Sequence, residues 1–262
     1  MEQTIKTGTS SAWIAQRLDS GTTATVINAA KVSHVLLQAI LRKRIDIVLL
    51  LLDQGADINT VGGHYGTALA TAASCGAKDI VLLLLDRGAD INAMGGCGTA
   101  LAVAASCWMK DIISLLLDRG ADINKVGGYN GTALMAATFR EMKDIVSLLL
   151  NRGADINAVG GNYGTALATA ASRGMWDILS LLLDRGADIN KASGNYGTAL
   201  MVATLYERKD IARVLYSTAL PHLLLFIIFL ISHVYYICYF LLSMYGHQGN
   251  AGTLSHVISV NY

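Results

Sequence analysis

Glycine pairs are the first feature of this 262-residue chain that could carry chemistry, because glycine-rich turns can cradle phosphate groups. They begin at Gly62, Gly95, Gly127 and Gly160. None is followed by the Gly-Lys-Ser/Thr of a phosphate loop, and none fits a dinucleotide-binding fingerprint. We therefore interpret the pairs as residues that let the chain turn.

Metal chemistry has little support. Asp57 and Asn59 match the start of a calcium loop, but position twelve of that frame is Ala68, where such a loop needs a bidentate glutamate. The cysteines have neither a zinc-site spacing nor a disulfide pattern, which predicts reduced thiols. They are Cys75, Cys97, Cys107 and Cys238.

Catalysis has no support either. The chain has no Gly-x-Ser-x-Gly, no His-Glu-x-x-His and no cysteine-histidine arrangement with plausible partners. We expect no enzyme activity, no catalytic residue, no cofactor and no small-molecule substrate.

A recurring set of aromatic, amide and thiol side chains points instead to binding. Asn195 and Tyr196 follow the single Gly194, and the others directly follow a glycine pair: His64, Tyr65, Cys97, Tyr129, Asn130, Asn162 and Tyr163. Tyrosine is enriched at binding hot spots, so a regular ladder of tyrosines could anchor an extended peptide. The alternative is that each tyrosine packs on the neighbouring turn and keeps the turns in register. Larger residues in otherwise small-residue segments are further candidates for partner contacts: Met135, Phe139, Met201 and Tyr206.

These candidates recur because the chain is a repeat array. Gly-Ala-Asp-Ile-Asn begins at Gly55, Gly88, Gly120, Gly153 and Gly186, with spacings of 33, 32, 33 and 33 residues. Gly-Thr-Ala-Leu recurs in step with it, first at Gly66. A period in this range is typical of a solenoid, in which one unit cannot bury its apolar face alone.

One unit predicts a turn followed by two helices. The Thr67 hydroxyl can accept from the exposed amides that begin the first helix, and Gly76 can adopt the left-handed conformation that ends it. Asp79 then places a negative charge in the first turn of the second helix. The stretch Ile80–Leu85 is apolar on nearly every side, so we expect the helices of neighbouring units to enclose it.

The unit resembles the ankyrin repeat, which has about 33 residues folded as a β-turn and two antiparallel helices. The version Gly-Gly-x-Tyr-Gly-Thr-Ala-Leu is similar to arrays found in fungal proteins. The chain departs from the family pattern at Thr67, Ala68, Leu69 and Ala70, where the family usually has Thr-Pro-Leu-His. The resemblance implies an all-α ankyrin-repeat α-solenoid with short finger hairpins. It also implies a protein partner on the concave surface of the fingers and inner helices.

The domain organisation follows from the repeat. Residues 1–33 are predicted to be a poorly ordered segment or a degenerate cap, and residues 34–218 an array of about six helix pairs with a degenerate first and last pair. Residues 219–245 are predicted to form a transmembrane helix, and residues 246–262 a short polar tail.

The membrane prediction depends on Leu223–Met244, 22 residues without Asp, Glu, Lys or Arg. As an α-helix this run is about 33 Å long, enough to cross a hydrocarbon core about 30 Å thick. Arg208, Lys209 and Arg213 precede it, so the positive-inside rule predicts a single-pass protein with its repeats in the cytosol. The alternative is a tail that is not native to the array, which would leave a soluble, cytoplasmic fragment of a larger ankyrin-containing sensor protein.

Charge and hydropathy narrow the function class. The formal net charge is +1, and basic residues are interleaved with acidic ones, so nothing indicates nucleic-acid binding. One apolar run is too few for a channel or transporter, and the cysteine-rich motif of the palmitoyl-transferring ankyrin enzymes is absent. The sequence therefore predicts a non-enzymatic protein-protein interaction module, with a single-pass membrane tether if the tail is native.

Overall fold

Pairs of helices follow one another along the chain. The computed structural model describes residues 24–129, 131–192 and 196–219, with side chains from Val32 onward. It divides the chain into two units, Met1–Ala212 and Arg213–Tyr262. Of the second unit, residues 213–219 are described, and they are helical.

Within the described ranges, each repeat unit from α1 to α10 contains a first and a second helix, and α11 is the first helix of the next repeat unit. The first helices are α1 (Ala24–Leu41), α3 (Ala68–Ser74), α5 (Ala100–Ser106), α7 (Ala133–Phe139), α9 (Ala166–Arg173) and α11 (Ala199–Leu205). The second helices are α2 (Ile45–Asp53), α4 (Lys78–Asp86), α6 (Lys110–Asp118), α8 (Lys143–Asn151) and α10 (Trp176–Asp184). Residues 209–219, which follow α11, are also helical.

The first helix is longer than its sequence predicted. We placed its start at His34, but α1 runs without interruption from Ala24. Residue 34 is therefore not a helix boundary, and residues 24–33, part of the segment predicted to be poorly ordered or a degenerate cap, are helical.

The carboxyl-terminal tail lies outside the description. Residues 220–262, which include the predicted membrane segment Leu223–Met244, are not among the described residues. In the part of the chain that is described, no helix combines the length and apolar character needed to cross a bilayer.

Threonine caps the short first helices, as predicted. The hydroxyl oxygen of Thr67 accepts a hydrogen bond from the amide of Ala70 at 3.0 Å. The same bond recurs at distances of 3.1–3.4 Å in the later units, at Thr99, Thr132, Thr165 and Thr198. Each cap satisfies one of the amides that the first helical turn leaves unpaired.

The turn between the two helices of a unit requires one left-handed residue. Gly76 has φ +65° and Gly174 has φ +77°, which confirms the role predicted for Gly76. Larger residues adopt the same conformation elsewhere, at Lys43, Trp108, Glu141 and Glu207. A residue with a Cβ atom is strained there, so the larger residues cost stability that glycine would not.

Short fingers join one unit to the next. In the first finger, strand β1 (Val61–Gly62) pairs antiparallel with β2 (Gly66–Thr67). In the second, β3 (Met94–Gly95) pairs with β4 (Gly98–Thr99). A Cβ atom added at Gly66 would lie 2.3 Å from the Cα atom of Gly95, so successive fingers touch through their backbones. The glycine-rich sequence of the fingers permits this close approach.

The hydrophobic core lies chiefly around the first helices. Every residue of α3 from Ala68 to Ser74 is buried, whereas α4 buries only Ile80, Val81 and Leu84. We expected the leucine-rich second helix to be enclosed on nearly every side, but it is buried on one face only and the first helix is the enclosed one. Alanine lets first helices approach one another closely on every side, while Leu82, Leu83 and Leu85 stay half-buried.

Two ladders of polar contacts connect consecutive units. Arg87 donates to the Asp53 carboxylate at 2.8 Å, and the pattern repeats as Arg119–Asp86, Arg152–Asp118 and Arg185–Asn151. The Asn59 side-chain oxygen accepts from the amide of Asp90 at 2.9 Å, and Asn92, Asn124 and Asn157 do the same one unit later each time. The Asp-x-Asn spacing that resembled a calcium loop is thus a turn that also binds the next unit.

Candidate partner-binding site

Five of the predicted binding residues gather into one aromatic cluster, defined as Tyr129, Phe139, Tyr163, Tyr196 and Tyr206. Phe139 and Tyr163 have ring centroids 6.4 Å apart and nearly parallel planes, at 23°. Tyr163 also lies 6.0 Å from Tyr196 and 5.9 Å from Tyr206. Tyr129 meets the Phe139 ring edge-to-face at 6.5 Å. These distances are typical of attractive aromatic pairs.

The repeat places these rings together. Tyr163 and Tyr196 each stand two residues before a capping threonine, so they occupy the same finger position in consecutive units. Phe139 is the last residue of α7, and Tyr206 directly follows α11. The cluster therefore forms where finger tips meet the carboxyl ends of first helices.

A shallow notch lies within the cluster. It is lined by Tyr129, Met135, Phe139, Gly160, Asn162, Tyr163 and Thr169. Met135 is only 3% exposed, so this predicted contact residue belongs to the packed lining and offers a partner little surface. Asn162 is exposed at the rim.

Much of the aromatic surface is open to solvent. Tyr129 is 60% exposed, Tyr206 38% and Tyr196 36%, while Phe139 and Tyr163 are half-buried. The tyrosines pack on one another across fingers, as the register interpretation predicts. They also leave a contiguous ring surface uncovered, as the binding interpretation requires.

The electrostatics of the cluster combine one cation with neutral hydroxyls. The guanidinium carbon of Arg173 lies 4.6 Å from the centre of the Phe139 ring, a cation-π contact. A hydrogen bond with Tyr163, aided by burial, raises the pKa of Tyr206 to about 12. Tyr206 therefore carries a neutral hydroxyl at physiological pH.

The predicted residues nearer the amino terminus lie apart from this cluster. His64 and Tyr65 contact each other edge-to-face at 4.9 Å. The Cys97 thiol donates to the backbone oxygen of His64 at 3.1 Å. Met201 is 62% exposed on α11. Asn130 and Asn195 lie outside the described residues, so their predicted contacts stay predictions.

The thiols in the described ranges, Cys75, Cys97 and Cys107, are free and half-buried. Burial raises the pKa of the Cys107 thiol, and the nearby positive charge of Arg140 partly opposes that shift. Among the described residues, no group of histidine, cysteine and carboxylate side chains could hold a metal ion.

Sequence reasoning missed two features that recur at the repeat period. One is the arginine ladder described above. The other is a row of exposed apolar finger residues: Val61, Met94, Val126 and Val159, which are 66%, 50%, 44% and 43% exposed. Both occupy equivalent positions in successive units, so a comparison of each repeat position along the array would have revealed them.

Comparison with known protein families gives a match along most of the chain. The family described as ankyrin repeats (three copies) matches residues 12–95, 94–160 and 158–222. No curated protein matches the chain.

Proposed function

The chain belongs to the ankyrin repeat family, and from this premise we propose that it is a non-enzymatic module that binds a protein partner. The partner would lie across the fingers and the ends of the first helices. The single observation that carries this proposal is the aromatic cluster, in which Tyr129, Tyr196 and Tyr206 stay exposed although residues 133–138 of α7 are all buried. Exposed aromatic groups on a rigid scaffold are typical of interaction surfaces.

The family match and the contacts between units together favour a scaffold. The Arg-Asp ladder and the Asn ladder use the polar side chains at the ends of second helices and in the turns to join units. The fingers and first-helix ends carry the side chains that differ from unit to unit. An array in which the contacts between units are the same and the exposed finger residues differ is suited to recognition of a partner.

Site-specific photo-crosslinking in cells tests this proposal. A benzoylphenylalanine placed at Tyr129, at Val126 or at His64 samples the finger side, and one at Ser180, exposed on α10, is the matched control. We expect a discrete crosslinked protein from at least one finger position and none from Ser180. Crosslinks from Ser180 alone would contradict the proposal.

A second proposal concerns the tail. We propose that Leu223–Met244 tethers the array to a membrane as a single-pass helix with the repeats in the cytosol, because this run is uncharged and long enough to cross a bilayer. Deletion of Pro221–Tyr262 should move the protein from the membrane fraction to the soluble fraction, with the helical circular dichroism and cooperative thermal unfolding of the repeat array retained. A full-length chain that stays soluble would instead favour the alternative, a cytoplasmic fragment of a larger sensor protein.

A further inference from the structure

We propose that the aromatic cluster binds an acidic, proline-containing segment of the partner. This inference rests on the proposed function and adds the chemistry of the bound segment. It depends on three observations: the arginines beside the cluster, the arrangement of the rings, and the shallowness of the notch.

Two sets of arginines in the array differ in whether they have an acidic partner. Those that follow the second helices, Arg87, Arg119 and Arg152, are each bound to an aspartate of the preceding unit. Arg140 and Arg173 stand at the ends of the first helices α7 and α9, and neither forms an ion pair with any described residue. Both side chains are exposed.

Arg173 is held in a way that leaves its hydrogen-bonding edge available. Its planar guanidinium lies over the Phe139 ring, with the central carbon 4.6 Å from the ring centre, and within the described ranges it forms no ion pair. The N–H groups around the edge of that plane are the part of an arginine that binds a carboxylate in a bidentate manner. A carboxylate beside Phe139 would complete this arrangement.

The nearby carboxylates of the chain do not fill this role. Glu141 and Glu207 are exposed and stand in left-handed positions after α7 and α11. Within the described ranges neither forms an ion pair with an arginine. The Arg173 guanidinium is thus left without a carboxylate partner among the described residues.

The rings favour proline over a bulky aromatic side chain. The notch between Tyr129, Phe139 and Tyr163 is shallow and closed below by buried Met135 and Thr169, so a large ring could not insert deeply. A pyrrolidine ring can lie flat across exposed aromatic faces. Proline-rich segments also bind with little loss of conformational entropy because they are already extended, and aromatic-lined grooves commonly recognise them.

Selection from a random 12-residue phage-displayed library tests the chemistry without knowledge of the natural partner. The full-length protein is the bait, and the selected peptides are then synthesised and measured by fluorescence anisotropy. We expect the peptides to share a proline with Asp or Glu within a few positions, and their affinity to fall as salt concentration rises.

Matched variants locate the binding site. Tyr163→Ala should weaken binding by about tenfold, as expected for a hot-spot aromatic residue. Tyr129→Ser, which replaces an exposed ring of the cluster, should also weaken binding. Arg173→Gln should weaken it by about fivefold. The controls are Trp108→Ala, an aromatic residue 65% exposed at the left-handed turn after α5, and Arg152→Gln in the ladder. Both should leave affinity unchanged, and a thermal melt of each variant separates lost binding from lost folding.

Three results would overturn the inference: no enriched peptide, a consensus without acidic residues, or affinities that the cluster variants leave unchanged. Selected peptides that lack acidic residues and bind the Val126→Lys variant more weakly would overturn the inference. They would still support the proposed function, because they would bind another part of the fingers. Failure of the finger crosslinks together with failure of selection would count against both.

Discussion

The amino-terminal and carboxyl-terminal repeats have the same backbone structure but different side chains on their fingers. Capping threonines and polar ladders recur in both regions with nearly the same distances. The residue after the first helix, however, is Cys75 or Cys107 in two early units and Arg140 or Tyr206 in two later ones. The early fingers carry Cys97 and the His64–Tyr65 pair, whereas the later ones build the aromatic cluster.

This contrast separates the scaffold from the recognition surface. Residues that join units are repeated because every joint must satisfy the same hydrogen-bond geometry. Residues at the finger tips and helix ends have no such common requirement, so they can differ between units. If the scaffold and the recognition surface are separate, the joints of both regions should be energetically alike and the surface differences should be confined to the tips.

The largest effect is expected where fingers touch. Gly66→Ala would place a Cβ atom 2.3 Å from the Cα of Gly95, and Gly66 has φ +95°, so both packing and backbone conformation are violated. We expect the free energy of unfolding in urea to fall by at least about 3 kcal/mol. Gly88→Ala is the matched control, since Gly88 has φ +87° but open space around it. It should cost only about 1 kcal/mol. Equal losses would show that finger contact is unimportant.

A smaller effect is expected at the caps, and it should be similar in the two regions. Thr67→Ala and Thr132→Ala each remove a hydroxyl that accepts from a first-turn amide, at 3.0 and 3.3 Å respectively. Each substitution should lower the free energy of unfolding by about 1 kcal/mol. Thermal denaturation followed by circular dichroism measures both, and a large difference between them would argue against equivalent joints.

A gain in stability is expected at the left-handed turn of a later unit. Glu141 has φ +61°, whereas the equivalent Gly76 has φ +65° without a side chain to strain. Glu141→Gly should raise the free energy of unfolding by up to about 1 kcal/mol in urea titration. The reverse change, Gly174→Ala, should lower the free energy of unfolding, because Gly174 has φ +77° and alanine is strained there. Packing adds no further cost, since an added Cβ would meet only Arg208, at 3.5 Å. A loss of stability in Glu141→Gly would contradict this account.

The smallest effect is a local titration within the aromatic cluster. Hydrogen bonding to Tyr163 and burial raise the pKa of Tyr206 to about 12. Tyr163→Phe should lower that pKa towards the ordinary value near 10, as measured by NMR of ¹³Cζ-labelled tyrosine. The neutral ring is favoured in the folded chain, so its contribution to stability is present below about pH 10 and is lost as pH rises towards 12. Tyr65→Phe, in the other region, should leave the pKa of Tyr206 unchanged.

The pattern of the sequence predicted the repeat period, the threonine caps, the left-handed Gly76 and the finger turns, because each depends on residues only a few positions apart. It also named all five members of the aromatic cluster as binding candidates. It did not predict that α1 begins at Ala24, since this end of the array lacks the repeat motif that marks later helices.

Contacts between units were decided only by the tertiary structure. The composition of the leucine-rich second helix suggested that it is fully enclosed. In the packed array the first helices are the buried ones instead, because their alanines let them approach one another closely. Likewise, the sequence identified Tyr163 and Tyr196 by their repeat spacing and Tyr206 as a large residue in a small-residue segment. Their meeting depends on how the finger tips of one repeat stack on the helix ends of the next. Local sequence determined each unit, and the stacking of units decided which side chains share a surface.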